Sequence, residues 1–276
     1  MAENKHEENG NLNRALKSRH LQMIAIGGSI GVGLFYGSSH AIQTAGPSIL
    51  LAYIVVGLIL FFMMRALGEM ATDEPIPGAQ VAFASKYLGE YWGFLMGWTY
   101  ILTMGCAAAS EYSALGIYMQ FWFPNLPIWV TGAIAMLVIL AINLSTVKLY
   151  GEIEFWGALI KVVAIIGIIV MGFLMIFFGI GNAGQAIGFS KLWSDGGIFP
   201  NGIKGFLSAL YLVAFAFAAL EFLAVAGGET EDPKKTIPKA INTVFYRILL
   251  FYVLSLGVMM CILDWRSIGT QGSPFV

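Results

Sequence analysis

The chain of 276 residues is 58% hydrophobic and 11% charged, with a mean hydropathy of +0.77. An ordinary soluble domain has charge on about a quarter of its residues, so this composition is typical of a protein that lies in a lipid bilayer. The net charge of -1 lacks the basic excess that a nucleic-acid-binding surface needs, which excludes a nucleic-acid partner.

Seven apolar stretches are long enough to cross a bilayer as helices, which takes about 20 residues each. Residues 1–20 before them are polar and lack the apolar core and cleavage site of a signal peptide. We therefore predict an all-α polytopic membrane protein with seven transmembrane helices after a tail at 1–20. The predicted spans are 21–42, 47–68, 92–121, 127–146, 155–180, 203–226 and 244–263.

The basic residues predict the orientation of these spans. With a cytoplasmic N-terminus, the outer segments hold only Lys191, Lys204 and Arg266 of the 15 lysines and arginines. Because basic residues collect on the cytoplasmic side, this distribution favours the N-in orientation, and an odd number of spans then places the C-terminus outside.

The first span contains the sequence GGSIGVGLF at 27–35, and its glycines weaken a helix that aliphatic residues would make continuous. A helix broken at the bilayer centre offers free N–H and C=O groups, which suit the carboxylate and ammonium of an amino acid. The alternative is close packing of helices through small residues. We favour a break because the glycines cluster within two turns instead of keeping a four-residue spacing. They are Gly27, Gly28, Gly31 and Gly33.

The sixth span places Glu221 inside the apolar sequence AFAFAALEFLAVAGGE. An unpaired carboxylate there costs several kcal/mol, so we expect Glu221 to be paired or protonated. Five spans separate the starts of spans one and six, as a repeat of five helices with an irregular first helix requires.

Two further ionisable residues lie at membrane depth or close to it. Glu111, in the third span, either faces a substrate path or forms a structural hydrogen bond between helices, and Ser110, Tyr112 and Ser113 are its expected local partners. Lys161, about two turns into the fifth span, is either functional or extends its amine towards the inner interface.

Arg65 and Glu69, at the inner end of the second span, are expected to form a solvated interfacial pair without a transport role.

With these motifs, the chain resembles amino-acid permeases of the amino acid–polyamine–organocation superfamily, and most of all the bacterial amino acid transporter subfamily. The resemblance runs from Leu12 to Val276 through GGSIGVGLF, SEYSALGIYMQFWFP, LYGEIEFWGALIK and GGETEDPKKTIPKAI, in that order. It implies twelve spans in a five-plus-five inverted repeat, the LeuT-type fold. Residues 21–181 would be the first repeat and 182–276 an incomplete second one, so the sequence is expected to be a fragment that does not transport by itself.

The resemblance also implies proton-coupled uptake of an amino acid by alternating access, with the substrate held between spans one and six. Lys161 would take the place of the ion that sodium-coupled members of the superfamily bind, and it would exchange a proton. Glu221 is the second candidate for proton coupling. Relatives usually have glycine at the position of Ala219, which could alter the second break. With Glu111, the implied substrate-binding residues are Ser29, Gly31, Val32, Gly33, Phe215, Ala218 and Ala219.

Two other classes of protein, a membrane enzyme and a seven-helix receptor, fit the sequence less well. A membrane enzyme needs a nucleophile with its base, or metal ligands, at membrane depth, and His6, His20 and His40 lie in the tail or near a span end. No enzyme activity, metal or other cofactor is therefore expected. A seven-helix receptor matches the number of spans, but the outside C-terminus and the glycine-rich first span oppose it. We expect a multi-pass protein of the bacterial inner membrane, with a mild preference for a neutral amino acid because spans one, three and six offer no second carboxylate for a cationic side chain and no arginine. The particular amino acid and the oligomeric state are not predicted.

Overall fold

The computed structural model describes residues 30–74, 76, 78–217, 233–242 and 249–268, together with residues 23, 27 and 246. All the regular secondary structure in these ranges is helical, so the prediction of an all-α protein is confirmed. The α-helices are α1 Val32–Phe35, α2 Gly37–Ala45, α3 Ile49–Asp73, α4 Ala79–Leu88, α5 Glu90–Met119, α6 Ile128–Asn143, α7 Val147–Phe178, α8 Lys191–Ser194, α9 Gly202–Ala216, α10 Pro233–Asn242 and α11 Ser255–Ile262. A 3₁₀-helix at Gly46–Ser48 joins α2 to α3, and a π-helix at Leu249–Leu254 leads into α11.

The helices α3, α5, α6 and α7 occupy the predicted spans two to five, with ends that differ by several residues. Within the part of the chain that the structure describes, two segments are both long and apolar enough to cross a membrane, Gly37–Asp73 and Leu149–Phe178. The apolar helices at Ile128–Asn143, Gly202–Ala216 and Leu250–Ile262 are shorter. Long apolar helices suit a bilayer, because each backbone group is satisfied within its own helix.

Three helices in the connections were not predicted, α4, α8 and α10. They have ten, four and ten residues, too few to appear as spans in a search for long apolar stretches. The helix α4 is tied to the end of α3 by Lys86, whose Nζ donates to Glu74 Oε1 at 2.6 Å. This hydrogen bond raises the pKa of Lys86.

The ends of α7 follow from its sequence. Thr146 precedes the helix in extended conformation, and its Oγ1 accepts a hydrogen bond from the Leu149 N–H at 3.3 Å. This bond satisfies a backbone donor that has no partner within the helix. Gly179, with φ of 67°, follows the last turn in the left-handed conformation that commonly ends a helix.

The buried core lies where α1, α2 and α3 meet α9 and α11. Its fully buried side chains include Leu34, Ile42, Tyr53, Val213 and Leu256. In contrast, α5, α6 and α7 expose many large apolar side chains along their length. An apolar outer surface of this extent fits contact with lipid tails.

The segment between α7 and α9 holds the end of α2. Asn201 Nδ2 donates to the backbone oxygens of Gln43 and Thr44, at 3.0 and 2.9 Å. These two carbonyls lie in the last turn of α2, where no intrahelical partner is available. The contact fixes the end of the first predicted span beside the start of the sixth.

Candidate functional site

The first predicted span is interrupted at Gly31. This residue is extended, with φ of -125° and ψ of -159°, and α1 begins only at Val32. A second irregularity follows at Tyr36, which separates α1 from α2. The helix irregularity that the glycine cluster predicts is thus present in the described part of this span.

Glu111 closes the interruption from another helix. Its Oε1 accepts a hydrogen bond from the Val32 N–H at 2.9 Å. The first N–H groups of a helix have no partner within the helix and carry partial positive charge, so a carboxylate stabilises this end. A Cβ on Gly31 would lie 2.7 Å from the same oxygen, which explains why residue 31 is a glycine.

The serines beside Glu111 are not its hydrogen-bond partners, contrary to expectation. Ser110 Oγ donates to the Cys106 carbonyl and Ser113 Oγ to the Ala109 carbonyl, at 2.9 and 2.8 Å. A serine hydroxyl in a helix reaches the carbonyl four residues earlier, and this local bond competes with longer-range partners. The partner of Glu111 is therefore backbone of the first span.

The first and sixth spans meet at the interruption. A Cβ on Gly33 would lie 2.4 Å from Ala216 Cα, which means that α1 and the end of α9 touch backbone to backbone. The helix α9 ends at Ala216, and Phe217 leaves the helical conformation. The second predicted break, at Ala218 and Ala219, lies outside the described residues.

An aromatic cluster that we did not predict supports this end of α9. Tyr252 Oη donates to the Ala216 carbonyl at 3.1 Å. Tyr252 also packs against the rings of Tyr53 and Phe217, with centroids 4.8 Å apart in both pairs, and all three residues are buried. The position of Tyr252 in the middle of an apolar span was the sequence signal for this contact, because a buried hydroxyl needs a hydrogen-bond partner.

Removing the Tyr252 hydroxyl is expected to destabilise the protein. Tyr252→Phe leaves the Ala216 carbonyl without this donor, at a cost of about 1 kcal/mol in the free energy of unfolding. Titration with a denaturing detergent, followed by circular dichroism, measures the change. Tyr211→Phe on the exposed surface of α9 is the matched control and should unfold as the wild type does. Equal stability of both variants would contradict this role of Tyr252.

A small cavity of about 110 Å³ lies at the interruption. Its walls include Gly31 and Val32 from the first span, Glu111 and Tyr118 from α5, and Lys161 from α7. A carboxylate, an amine and the backbone at the start of α1 thus surround one space. Glu111 is exposed in this chain and Lys161 is partly buried.

A larger cavity of about 410 Å³ adjoins the small one, since both are lined by Val32 and Ala114. Its other walls include Tyr36, Ser113 and Phe215, so it is mainly apolar with a few hydroxyl groups. Small-molecule sites are commonly apolar with few polar groups. Among the described residues, no three His, Cys, Asp or Glu side chains come together as a metal site.

The structure brings most of the predicted site residues together. Gly31, Val32, Glu111 and Lys161 line the small cavity, Phe215 lines the larger one, and Gly33 contacts the end of α9. The other candidates, Ser29, Ala218, Ala219 and Glu221, lie outside the described residues.

The apolar helices and the interrupted span are typical of a helical membrane protein. Residues 20–276 match the family described as amino acid permease. The chain belongs to this family, within the amino acid–polyamine–organocation superfamily, so the predicted resemblance is confirmed.

Several curated relatives are similar over 96% of this chain. The uncharacterized amino acid permease YtnA and the amino-acid permease AapA of Bacillus subtilis are 50% and 48% identical, and the chain covers 57% of each. The aromatic amino acid transport protein AroP of Escherichia coli is 45% identical, with 58% covered. The chain thus spans less than two thirds of the length of these relatives.

Proposed function

We propose that this chain forms the substrate-binding part of a secondary transporter that carries an amino acid across the bacterial plasma membrane. The observation that supports it most is the contact between Glu111 Oε1 and the Val32 N–H at the interruption of the first span. This carboxylate oxygen stands where a carboxylate oxygen of a bound amino acid would sit. The relatives named above are permeases or transport proteins, which favours transport over the receptor alternative.

The charges of the site suit a zwitterion. The start of α1 carries partial positive charge and attracts an α-carboxylate, which takes the place of Glu111 at the Val32 N–H, and the displaced Glu111 accepts the α-ammonium. The two charges of the substrate are then both compensated in a site of low polarity. We assign the wider substrate contacts to Ser29, Gly31, Val32, Gly33, Glu111, Phe215, Ala218 and Ala219.

The larger cavity is the proposed space for the substrate side chain. It begins at Val32, beside the place for the α-carboxylate, and extends towards Tyr36 and Phe215. Its volume of about 410 Å³ is ample for an apolar or aromatic side chain. We infer that the apolar walls favour such side chains over charged ones.

Proton symport and alternating access complete the proposal. Lys161 lines the small cavity with Glu111, so its charge state changes the electrostatics of the substrate site. We assign proton coupling to Lys161 and Glu221. Residues 1–20 are the proposed cytoplasmic tail, 21–181 the first five-helix repeat, and 182–276 the beginning of the second repeat in a LeuT-type fold with seven spans in this chain. The contact of Gly33 with Ala216, between the first helices of the two repeats, supports this division.

Replacing Glu111 tests the proposal. Glu111→Gln keeps an oxygen acceptor for Val32 but removes the charge that holds the ammonium, so substrate affinity is expected to fall by roughly tenfold. A panel of labelled amino acids is offered to a chimera in which this chain replaces the matching region of the Bacillus permease AapA. The binding constant and the initial uptake rate are measured in proteoliposomes.

Glu90→Gln, at the exposed start of the same helix, is the matched control and should retain affinity. If the chimera takes up no amino acid, the transport proposal fails. If Glu111→Gln binds as tightly as the wild type, the assignment of the ammonium to Glu111 fails.

A further inference from the structure

A second cavity lies away from the candidate substrate site, where the end of α3 meets α10. Its volume is about 390 Å³. Four charged side chains line it, Arg65, Glu69, Asp73 and Lys234, with Thr72 and Asn242 beside them. No role in the proposed transport cycle uses this cavity, since its lining shares no residue with either cavity at the interrupted span.

The two walls of this cavity are held together by apolar contacts. Ile237 and Ile241 of α10 are buried, and Ile241 Cδ1 fills the space that a side chain at residue 68 would take. Because residue 68 is a glycine, α10 packs directly on α3. The charged groups of the two helices therefore face one another across a fixed gap.

The charges of the cavity are balanced. Arg65 Nε donates to Glu69 Oε1 at 3.2 Å, and the cavity contains one further cation and one further anion. A ligand with only negative charge would be repelled by Glu69 and Asp73, although the cations attract it. A ligand with only positive charge would be repelled by Arg65 and Lys234. The arrangement is complementary to a ligand that carries both signs.

An exposed apolar stripe on α3 leads to the cavity. Leu51, Val55, Leu58 and Phe62 are all exposed and follow one another at spacings of four, three and four residues. Arg65 and Glu69 continue the same spacing, so the stripe and the charges share one face of the helix. The stripe is about 16 Å long at 1.5 Å per residue, close to the hydrocarbon thickness of one leaflet.

We propose that the cavity and the stripe bind one phospholipid whose headgroup carries both a phosphate and a primary ammonium, namely phosphatidylethanolamine. Its phosphate contacts Arg65 and Lys234, and its ammonium contacts Glu69 and Asp73. One acyl chain lies along the stripe from Phe62 to Leu51. Phosphatidylglycerol has no ammonium for the carboxylates, and phosphatidylcholine has an ammonium without N–H donors.

Lipid retention tests the proposal. The chain is reconstituted into vesicles with equal parts of phosphatidylethanolamine, phosphatidylglycerol and phosphatidylcholine, extracted in mild detergent, and examined by native mass spectrometry. We expect one retained phosphatidylethanolamine, preferred about tenfold over the other two lipids because they lose charged hydrogen bonds. Equal retention of phosphatidylglycerol would overturn the proposal.

Variants separate the headgroup from the acyl chain. Arg65→Gln with Lys234→Gln should abolish the preference, whereas Arg65→Lys, which keeps the cation, should retain it. Phe62→Ala should lower retention of all three lipids, and Phe94→Ala, at a side chain that is also 65% exposed, should not. Circular dichroism establishes that each variant is folded. For a double variant that does not fold, Lys234→Gln alone is decisive, and an unchanged preference in it would contradict the headgroup site.

Competition by a soluble zwitterion shows whether the charged side chains of the cavity bind a lipid headgroup or a free amino acid. Excess glycine should leave the retained lipid in place, because glycine makes no contact with the apolar stripe. Displacement of the lipid by glycine would overturn the proposal in favour of an amino-acid site. This test does not depend on transport, so it can fail while the transport function holds.

Discussion

Replacing Lys161 with alanine is expected to abolish proton-driven accumulation of the amino acid by the chimera. Each unit of pH gradient supplies about 1.4 kcal/mol per coupled proton, or a tenfold accumulation, and this drive requires a group that gains and loses the proton. Lys161 lines the same small cavity as Glu111 and Val32, which places its charge beside the proposed substrate site. Uptake by Lys161→Ala should therefore be independent of the imposed pH gradient.

Two further variants make this experiment specific. Lys161→Arg keeps the positive charge but cannot release a proton, so it should bind substrate without accumulating it. Lys204→Ala, at an exposed position near the start of α9, is the control and should keep the pH dependence. An unchanged pH profile in Lys161→Ala would reject the coupling role.

Adding one methyl group at Gly33 is expected to abolish substrate binding and to destabilise the chain. In Gly33→Ala, the new Cβ would lie 2.4 Å from Ala216 Cα and 2.8 Å from Ala216 Cβ. Backbone atoms cannot rotate away, so α1 and α9 must separate, at a cost of about 1–3 kcal/mol. The separation moves the Val32 N–H away from Phe215 and opens the substrate site between them.

Gly157→Ala on α7 is the matched control, because no atom lies within 4 Å of its new Cβ. It should preserve binding, and it should slightly favour the helix, since alanine is a better helix former than glycine. Binding of a labelled amino acid to the chimera and detergent unfolding of the chain measure the two effects. Normal binding by Gly33→Ala would show that the contact between spans one and six is dispensable.

The sequence was informative wherever local chemistry decides the structure. Glycines weaken a helix by themselves, so the interruption at Gly31 could be predicted without any partner. The positions of α3, α5, α6 and α7 could likewise be predicted without any partner, because each is a long apolar stretch of sequence. The exposed pair of Arg65 and Glu69, four residues apart on one helix, was predicted and is present.

Contacts between distant segments could not be predicted in the same way. Nothing in the sequence of the third span identifies Val32 as the hydrogen-bond partner of Glu111. The nearby serines were expected as partners instead, but their hydroxyls bond within their own helix. The bond from Tyr252 to Ala216 depends likewise on how two spans pack. Sequence patterns describe one element at a time, whereas a site between helices is decided by packing.

The bond between Val32 and Glu111 also has a consequence for biosynthesis. The two residues are 79 positions apart, which corresponds to roughly 4–16 s of ribosomal synthesis at 5–20 residues per second. During this delay the first span is already made, but the carboxylate that closes its interruption is not. A free N–H group in lipid is costly, so the nascent span must stay hydrated or remain a continuous helix until the third span arrives. The contact that closes the interruption at Gly31 therefore forms late, as part of helix assembly and not of membrane insertion.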